Sequence, residues 1–313
     1  MKSLIFSPAE SPRSRILYES PRIGAVFVIE IFWRFFCVMI LRSMQNNQFS
    51  YISSNFIQEF WNHFINLDQY STNIAVLLCN GKFNSIDFSY INFPDLQIFN
   101  IDLSFSNLCY SELSYSKLSN INLSNTNLTF ANLRNASLQN INLSNANLSN
   151  ANLFVAKLEH SDLSNSNLSF ACLSCANFSG VNFFGANLSN VDLSISYLEG
   201  ANLSACNLSN ANLSNSNLSF AFLSCANFSG ANFSGANLSN ADLSNANLSN
   251  SYFSGANLSA CNLSNVNLSN SYLVGANLSA CNLSNADLSN SYLMGANLVD
   301  TKLSNANLFN TRF

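Results

Sequence analysis

From Phe83 to Phe313 every fifth residue is Leu, Phe or, once, Ile98. The register never slips. A period of five is neither the 3.6 of an α-helix nor the 2 of a plain strand. It excludes ordinary helical and sandwich folds for most of the chain.

One unit reads Ala146-Asn147-Leu148-Ser149-Asn150, and these five places are called positions one to five below. Position three is the large apolar residue. Position one is small almost throughout, as at Ala131, Val181, Cys206, Ser216 and Thr301. A spacing of two puts both side chains on one side of an extended step. The next small residue follows three later, so the chain must turn between units, always the same way. Ser, Asn and Gly fill the turning positions, which suits tight turns. Such a chain coils around its own Leu column as a solenoid, with coils about 4.8 Å apart.

An internal duplication sets the coil length. Residues 251–270 (SYFSGANLSACNLSNVNLSN) recur at 271–290 (SYLVGANLSACNLSNADLSN), and 291–298 begins a third copy. Duplicating a whole coil preserves stacking, so four units of five residues close one square turn. A second copy fits less simply. Asn167–Gly180 recurs as Asn217–Gly230, two and a half such coils later.

These residues resemble the pentapeptide-repeat family, whose units read A(N/D)LxX. The resemblance covers about residues 83–313. It implies an all-β solenoid, a right-handed quadrilateral parallel β-helix with positions one and three inside. At four units per coil this gives about twelve coils and a rod of about 55 Å. Ile86, Ile91, Leu96 and Ile101 are large where Ala is usual, and Pro94 and Glu112 are atypical. Irregular opening coils are expected there.

The chain divides into three parts: an N-terminal extension, 1–50; a short α-helical cap, 51–82; and the repeat, 83–313. Ile23–Leu41 is nearly all apolar and about as long as a membrane span. Glu30 and Arg34 lie inside it, each costing about 2.5–3.5 kcal/mol near a bilayer centre. Their spacing of four lets them pair on a helix. The residues leave anchor and non-anchor readings open, with Met39 or Met44 as alternative starts. If 23–41 spans, the protein is membrane-anchored. Otherwise it is cytoplasmic. Within the cap, 55–67 carries Phe56, Phe60, Phe64 and Leu67 at helical spacing. No such helix follows the last unit, so the C-terminal end either relies on edge charges or forms a homodimer.

The repeat holds five Lys/Arg and eleven Asp/Glu, net −6. Its surface is therefore amide and hydroxyl rather than ionic. The chain's two histidines, His63 and His160, make no triad or metal cluster, and no phosphate-binding glycine loop is present. Glu159 and Asp162, the nearest thing to a carboxylate pair, read as surface charges. Catalytic, cofactor and metal residues are all expected to be none. Cys206, Cys261 and Cys281 take the inward small position, whereas Cys172, Cys175 and Cys225 fall on outward or corner phases. Stacked Cys261 and Cys281 read as core thiols rather than a disulfide.

One surface feature stands out. Tyr252, Tyr272 and Tyr292 are twenty apart and should form a vertical ladder, a candidate interaction stripe. The leading function is a non-catalytic scaffold for an unidentified protein partner. The resemblance adds a second reading, a DNA-mimicking modulator of a type II topoisomerase, which needs regular carboxylates where Asn mostly stands. Binding of nucleic acid itself is disfavoured. A third reading is a lattice or polymer binder on flat Ser/Asn faces.

Overall fold

The computed structural model describes residues 84–85, 87–92 and 94–313. The expected helical cap and the apolar run Ile23–Leu41 lie outside the described residues. Parallel bridges pair each position-two residue with its counterpart twenty later, from Asp87↔Asn107 through Tyr292↔Arg312. Four units therefore close one coil. The four position-two columns form the four faces, and the turns between units form the corners.

The five N–H groups of a unit show why this sequence takes this path. Ala146 N donates to Leu143 O at 3.0 Å, closing the corner turn. Asn147 N donates to Thr126 O in the preceding coil, while Leu148 N and Asn150 N donate to Asn167 O and Ser169 O in the following one. Ser149 N donates to the Oδ1 of Asn147 two residues back, at 3.1 Å. No backbone donor is left over, which a filled solenoid requires. Asn at position two thus has a structural duty that an arbitrary polar residue lacks.

Every described fifth-position residue from Ser85 to Asn310 has a positive φ, between 53° and 71°. Position four does not, so the corner is a type II turn. Asn and Gly predominate at position five because they reach that conformation cheaply. Pro94 fits the same logic. It stands at position four, the second residue of the turn, where proline is favoured. Glu112 replaces Asn at position two and does the same work. Its Oε1 accepts from Ser114 N at 3.1 Å and its Oε2 from Asn132 Nδ2 at 2.8 Å. Burial opposes its charge, but these hydrogen bonds outweigh burial and hold its carboxyl below the usual range. The expected irregularity of the opening coils does not reach the register, which is in step from Asp87 onward.

Positions one and three fill the interior. Leu138–Leu288 and the five phenylalanines Phe178, Phe183, Phe228, Phe233 and Phe253 are essentially inaccessible at position three. The second duplication carries Phe178 and Phe228, each of which packs on the next position-three phenylalanine beyond the duplicated segment. Phe178 and Phe183 meet at 5.3 Å and 58°, and Phe228 and Phe233 at 5.2 Å and 59°. The copies sit half a coil apart in phase, yet pack alike, because four equivalent sides accept a shift of whole units. Buried hydroxyls at position one bond inward carbonyls, as Ser166 Oγ does to Leu163 O. Ser111 Oγ is buried without a partner.

Candidate functional site

The face that begins at Asn92 changes character along the rod. Its earlier coils carry Asn or Asp at position two, except at Glu112 and Cys172. Ser214 N and Ser234 N accordingly donate to Asn212 Oδ1 and Asn232 Oδ1 at 3.2 and 3.0 Å. At Tyr252 the pattern switches. Tyr252, Tyr272 and Tyr292 bridge one to the next. Their rings stack at 5.2 and 4.9 Å, within 6° of parallel. The ladder expected from their spacing is therefore present. Arg312 continues the column, with its guanidinium 5.0 Å from the Tyr292 ring centroid.

Tyrosine has no acceptor where asparagine has Oδ1. Among the described residues the N–H groups of Ser254, Val274 and Met294 consequently have no hydrogen-bond partner. All three residues are exposed. Beside them stand Gly255, Gly275 and Gly295, where an added Cβ would meet nothing within 4 Å. The face thus combines a stacked aromatic column, a parallel column of three unused donors and a terminal cation. The sequence pointed to the tyrosines. It hid the donors, whose exposure follows only from the hydrogen-bond role of the missing Asn.

A second aromatic group was not foreseen. Phe99, Phe105, Tyr110 and Tyr115 are 42–61% exposed and lie at four successive corners of one coil. Tyr90 and Phe130 stack on either side of Tyr110, at 5.0 and 4.9 Å. Five of these six occupy the left-handed position five, where later coils mostly carry Asn or Gly. The fifth-position entry in the repeat, not the apolar periodicity, was the signal for this belt.

Glu159, read from the sequence as a surface charge, is instead half-buried: its Oε1 accepts from Asn177 Nδ2 at 2.8 Å and its Oε2 is buried without a partner. The other candidates fall as their phases predict. His160 is an exposed corner residue. Cys206, Cys261 and Cys281 are buried, Cys172 and Cys175 half-buried and Cys225 exposed, all as free thiols. Burial pushes the Cys206 thiol up to about 12. Contact with the Cys281 sulfur, then burial, raise the Cys261 thiol further. Asp102, Asp162 and Asp242 share a face but stand three and four coils apart along its bridge column. Among the described residues no three His, Cys, Asp or Glu side chains come together as a metal site, and no helix is long and apolar enough to cross a membrane.

A filled four-sided solenoid with its chemistry on the outside is a repeat scaffold. The model of the family described as pentapeptide repeats matches residues 126–165, 161–194, 196–235, 231–270 and 271–308. The chain belongs to the pentapeptide-repeat family, and its fold is the family's right-handed β-helix. It is similar to HetL from the cyanobacterium Nostoc sp. strain PCC 7120, a pentapeptide repeat protein involved in heterocyst differentiation regulation. That match has 30% identity over 71% of this chain and 91% of HetL, with a TM-score of 0.46. It is also similar to QnrB1, a plasmid-mediated fluoroquinolone resistance protein. Here identity is 17% over 56% of this chain and 94% of QnrB1, with a TM-score of 0.40. A pentapeptide repeat protein from the Arabidopsis thaliana thylakoid lumen matches at 25% identity over 36% of this chain and 67% of its own, with a TM-score of 0.19. A search of curated proteins gives no match.

Proposed function

We propose that this protein is a non-catalytic interaction scaffold that engages a protein partner through the face of Tyr252, Tyr272 and Tyr292. The observation that carries this reading is the stacked column itself, exposed at Tyr252 and Tyr272 and half-buried at Tyr292. Aromatic side chains are the residues that most often anchor protein interfaces. Here stacking immobilises them before any partner arrives, so less entropy is lost on binding.

The test is capture by the full chain in cells, compared with a Tyr252→Asn/Tyr272→Asn/Tyr292→Asn variant. Asparagine is the ordinary residue at position two, so the variant keeps the fold. A partner enriched by the parent and lost with the variant supports the reading. A partner retained equally by both overturns the assignment to this face.

A membrane tether through 23–41 is a second part of the proposal, favoured by the aromatic belt at Phe99, Phe105, Tyr110 and Tyr115. Tyr110 and Tyr115 in this belt are of the amphipathic type that collects at the headgroup layer of a bilayer. Retention in the membrane pellet through an alkaline carbonate wash tests it, and release into the supernatant removes it. A DNA-mimicking reading asks for closely spaced carboxylates, which the dispersed Asp102, Asp162 and Asp242 do not supply.

A further inference from the structure

We propose that the Tyr252–Tyr272–Tyr292 face binds the acidic stripe of an α-helix lying along the rod. The inference rests on the reading of this face as the partner site and adds the partner's chemistry. Its basis is the set of groups the face offers, all of which seek an acceptor. Ser254, Val274 and Met294 present three N–H donors with no partner among the described residues. The three phenols lie in the parallel column. Arg312 stacks on Tyr292, and a stacked guanidinium keeps the N–H groups at its rim for a carboxylate.

Access is open. Gly255, Gly275 and Gly295 remove the side chains that would stand beside the donors, and a Cβ there would find empty space. The ladder face itself carries no carboxylate near the tyrosines, and Asp287 stands on the adjoining face, one unit before Tyr292. The last carboxylate before the ladder on this face is Asp192, three coils before Tyr252 in the bridge column. That is about 14 Å at the usual strand spacing, beyond the screening length of about 8 Å in physiological salt.

Spacing selects a helix over a strand. The donors repeat once per coil, about 4.8 Å. An α-helix presents residues i, i+4 and i+7 at about 5.4 Å per turn. Over three contacts the two columns drift apart by only about 1.2 Å, which Glu side chains absorb. Same-face residues of an extended strand repeat at about 6.8 Å, and the drift reaches about 4 Å. The rod therefore matches a helix carrying Asp or Glu at i, i+4 and i+7, with aliphatic positions between them against the tyrosine edges.

The experiment is fluorescence anisotropy with the full-length protein and a labelled, helix-stapled peptide bearing Glu at i, i+4 and i+7. The comparators are a peptide of the same composition with its Glu residues off that stripe, and the stripe peptide broken by a central proline. The stripe peptide should bind at least about tenfold more tightly than either, with affinity falling as salt rises. Tyr252→Asn/Tyr272→Asn/Tyr292→Asn should abolish that preference, because each Asn recaptures the N–H two residues on. Arg312→Gln should weaken binding several-fold and lower the salt dependence. Equal binding of the striped and rearranged peptides, or full binding by the triple Asn variant, overturns the proposal. A cellular partner lost with the triple variant, together with no striped-peptide binding, leaves the face as the partner site and removes only the acidic helix.

Discussion

Ser269 Oγ donates to Asn267 Oδ1 at 2.8 Å because the residue one coil further on is Asp287. Along this face each Asn Nδ2 ordinarily donates to the Oδ1 one coil back, as Asn247 does to Asn227 at 3.0 Å and Asn267 to Asn247 at 3.2 Å. An ionised aspartate has no proton to give. The carbonyl of Asn267 would lose its ladder donor, and the neighbouring hydroxyl takes the place. The same substitution occurs at Asn142 with Ser144, below Asp162, and at Asn177 with Ser179, below Tyr197. It occurs again at Asn232 with Ser234, below Tyr252, and at Asn282 with Ser284, below Lys302. At these five breaks the position-four serine supplies a spare donor; Ser264 Oγ also donates to Asn262 Oδ1, where Asn282 Nδ2 lies at a long 3.4 Å.

This gives a paired prediction. Ser269→Ala should cost about 1 kcal/mol, the ordinary worth of a hydrogen bond. Ser249→Ala should cost close to nothing, because Asn247 already receives Asn267. Urea unfolding of both variants measures the difference. Equal losses would show that the hydroxyl is not filling a gap.

The left-handed corners allow a second prediction. Val155 and Ile195 hold φ near 59°, a region β-branched residues rarely enter. Both side chains are exposed, at 36% and 54%, so little burial offsets the strain. Val155→Asn and Ile195→Asn should each stabilise the rod by about 1–2 kcal/mol, the cost of left-handed backbone for an L-residue. A rise in the urea midpoint checks it. A fall would mean that these side chains make contacts worth more than the strain.

The coil, its length and its filling were legible because burial repeats at fixed intervals, and periodicity is what a sequence displays most directly. Leu148, Ala146 and the tyrosine spacing all behaved as their phases required. Two things were not legible. Asn147 reads as a polar surface residue, and only the hydrogen bond to Ser149 N shows that it completes the backbone. The donors at Ser254, Val274 and Met294 could be found only after that role was known. The belt at Phe105, Tyr110 and Tyr115 escaped because position five tolerates many residue types in a sequence, while its uniform positive φ is a property of the coil.

Ser111 makes the third prediction. Its hydroxyl is buried at position one and has no partner, unlike Ser166, which donates to Leu163 O. A buried unpaired hydroxyl costs about 1–3 kcal/mol of desolvation. Ser111→Ala removes it at the position where Ala is the common residue, and should raise stability by about 1 kcal/mol. Ser166→Ala removes a bonded hydroxyl, although Leu163 O still accepts from Ser166 N at 3.2 Å, so it should lower stability by up to about 1 kcal/mol. Thermal melts of the two variants should move in opposite directions. A loss of stability in both would show that Ser111 Oγ has a partner in solution.

The cysteines give a prediction in chemistry rather than stability. The thiolate is the reactive form, so a raised pKa and burial act together against alkylation. Cys206, held at about 12 by burial, is almost wholly protonated at pH 8. Cys261 is raised still further, first by contact with the Cys281 sulfur and then by burial. Cys225 is exposed at a corner. Iodoacetamide applied to the folded protein at pH 8 should therefore modify Cys225 rapidly and leave Cys206 and Cys261 untouched until denaturant is added. Peptide mass spectrometry over time separates the sites. Because coils in a linear repeat open from the ends inward, Cys206 should stay protected to higher denaturant than Cys261, which lies nearer the final coil. Simultaneous modification of both would instead indicate that the rod unfolds as one cooperative unit.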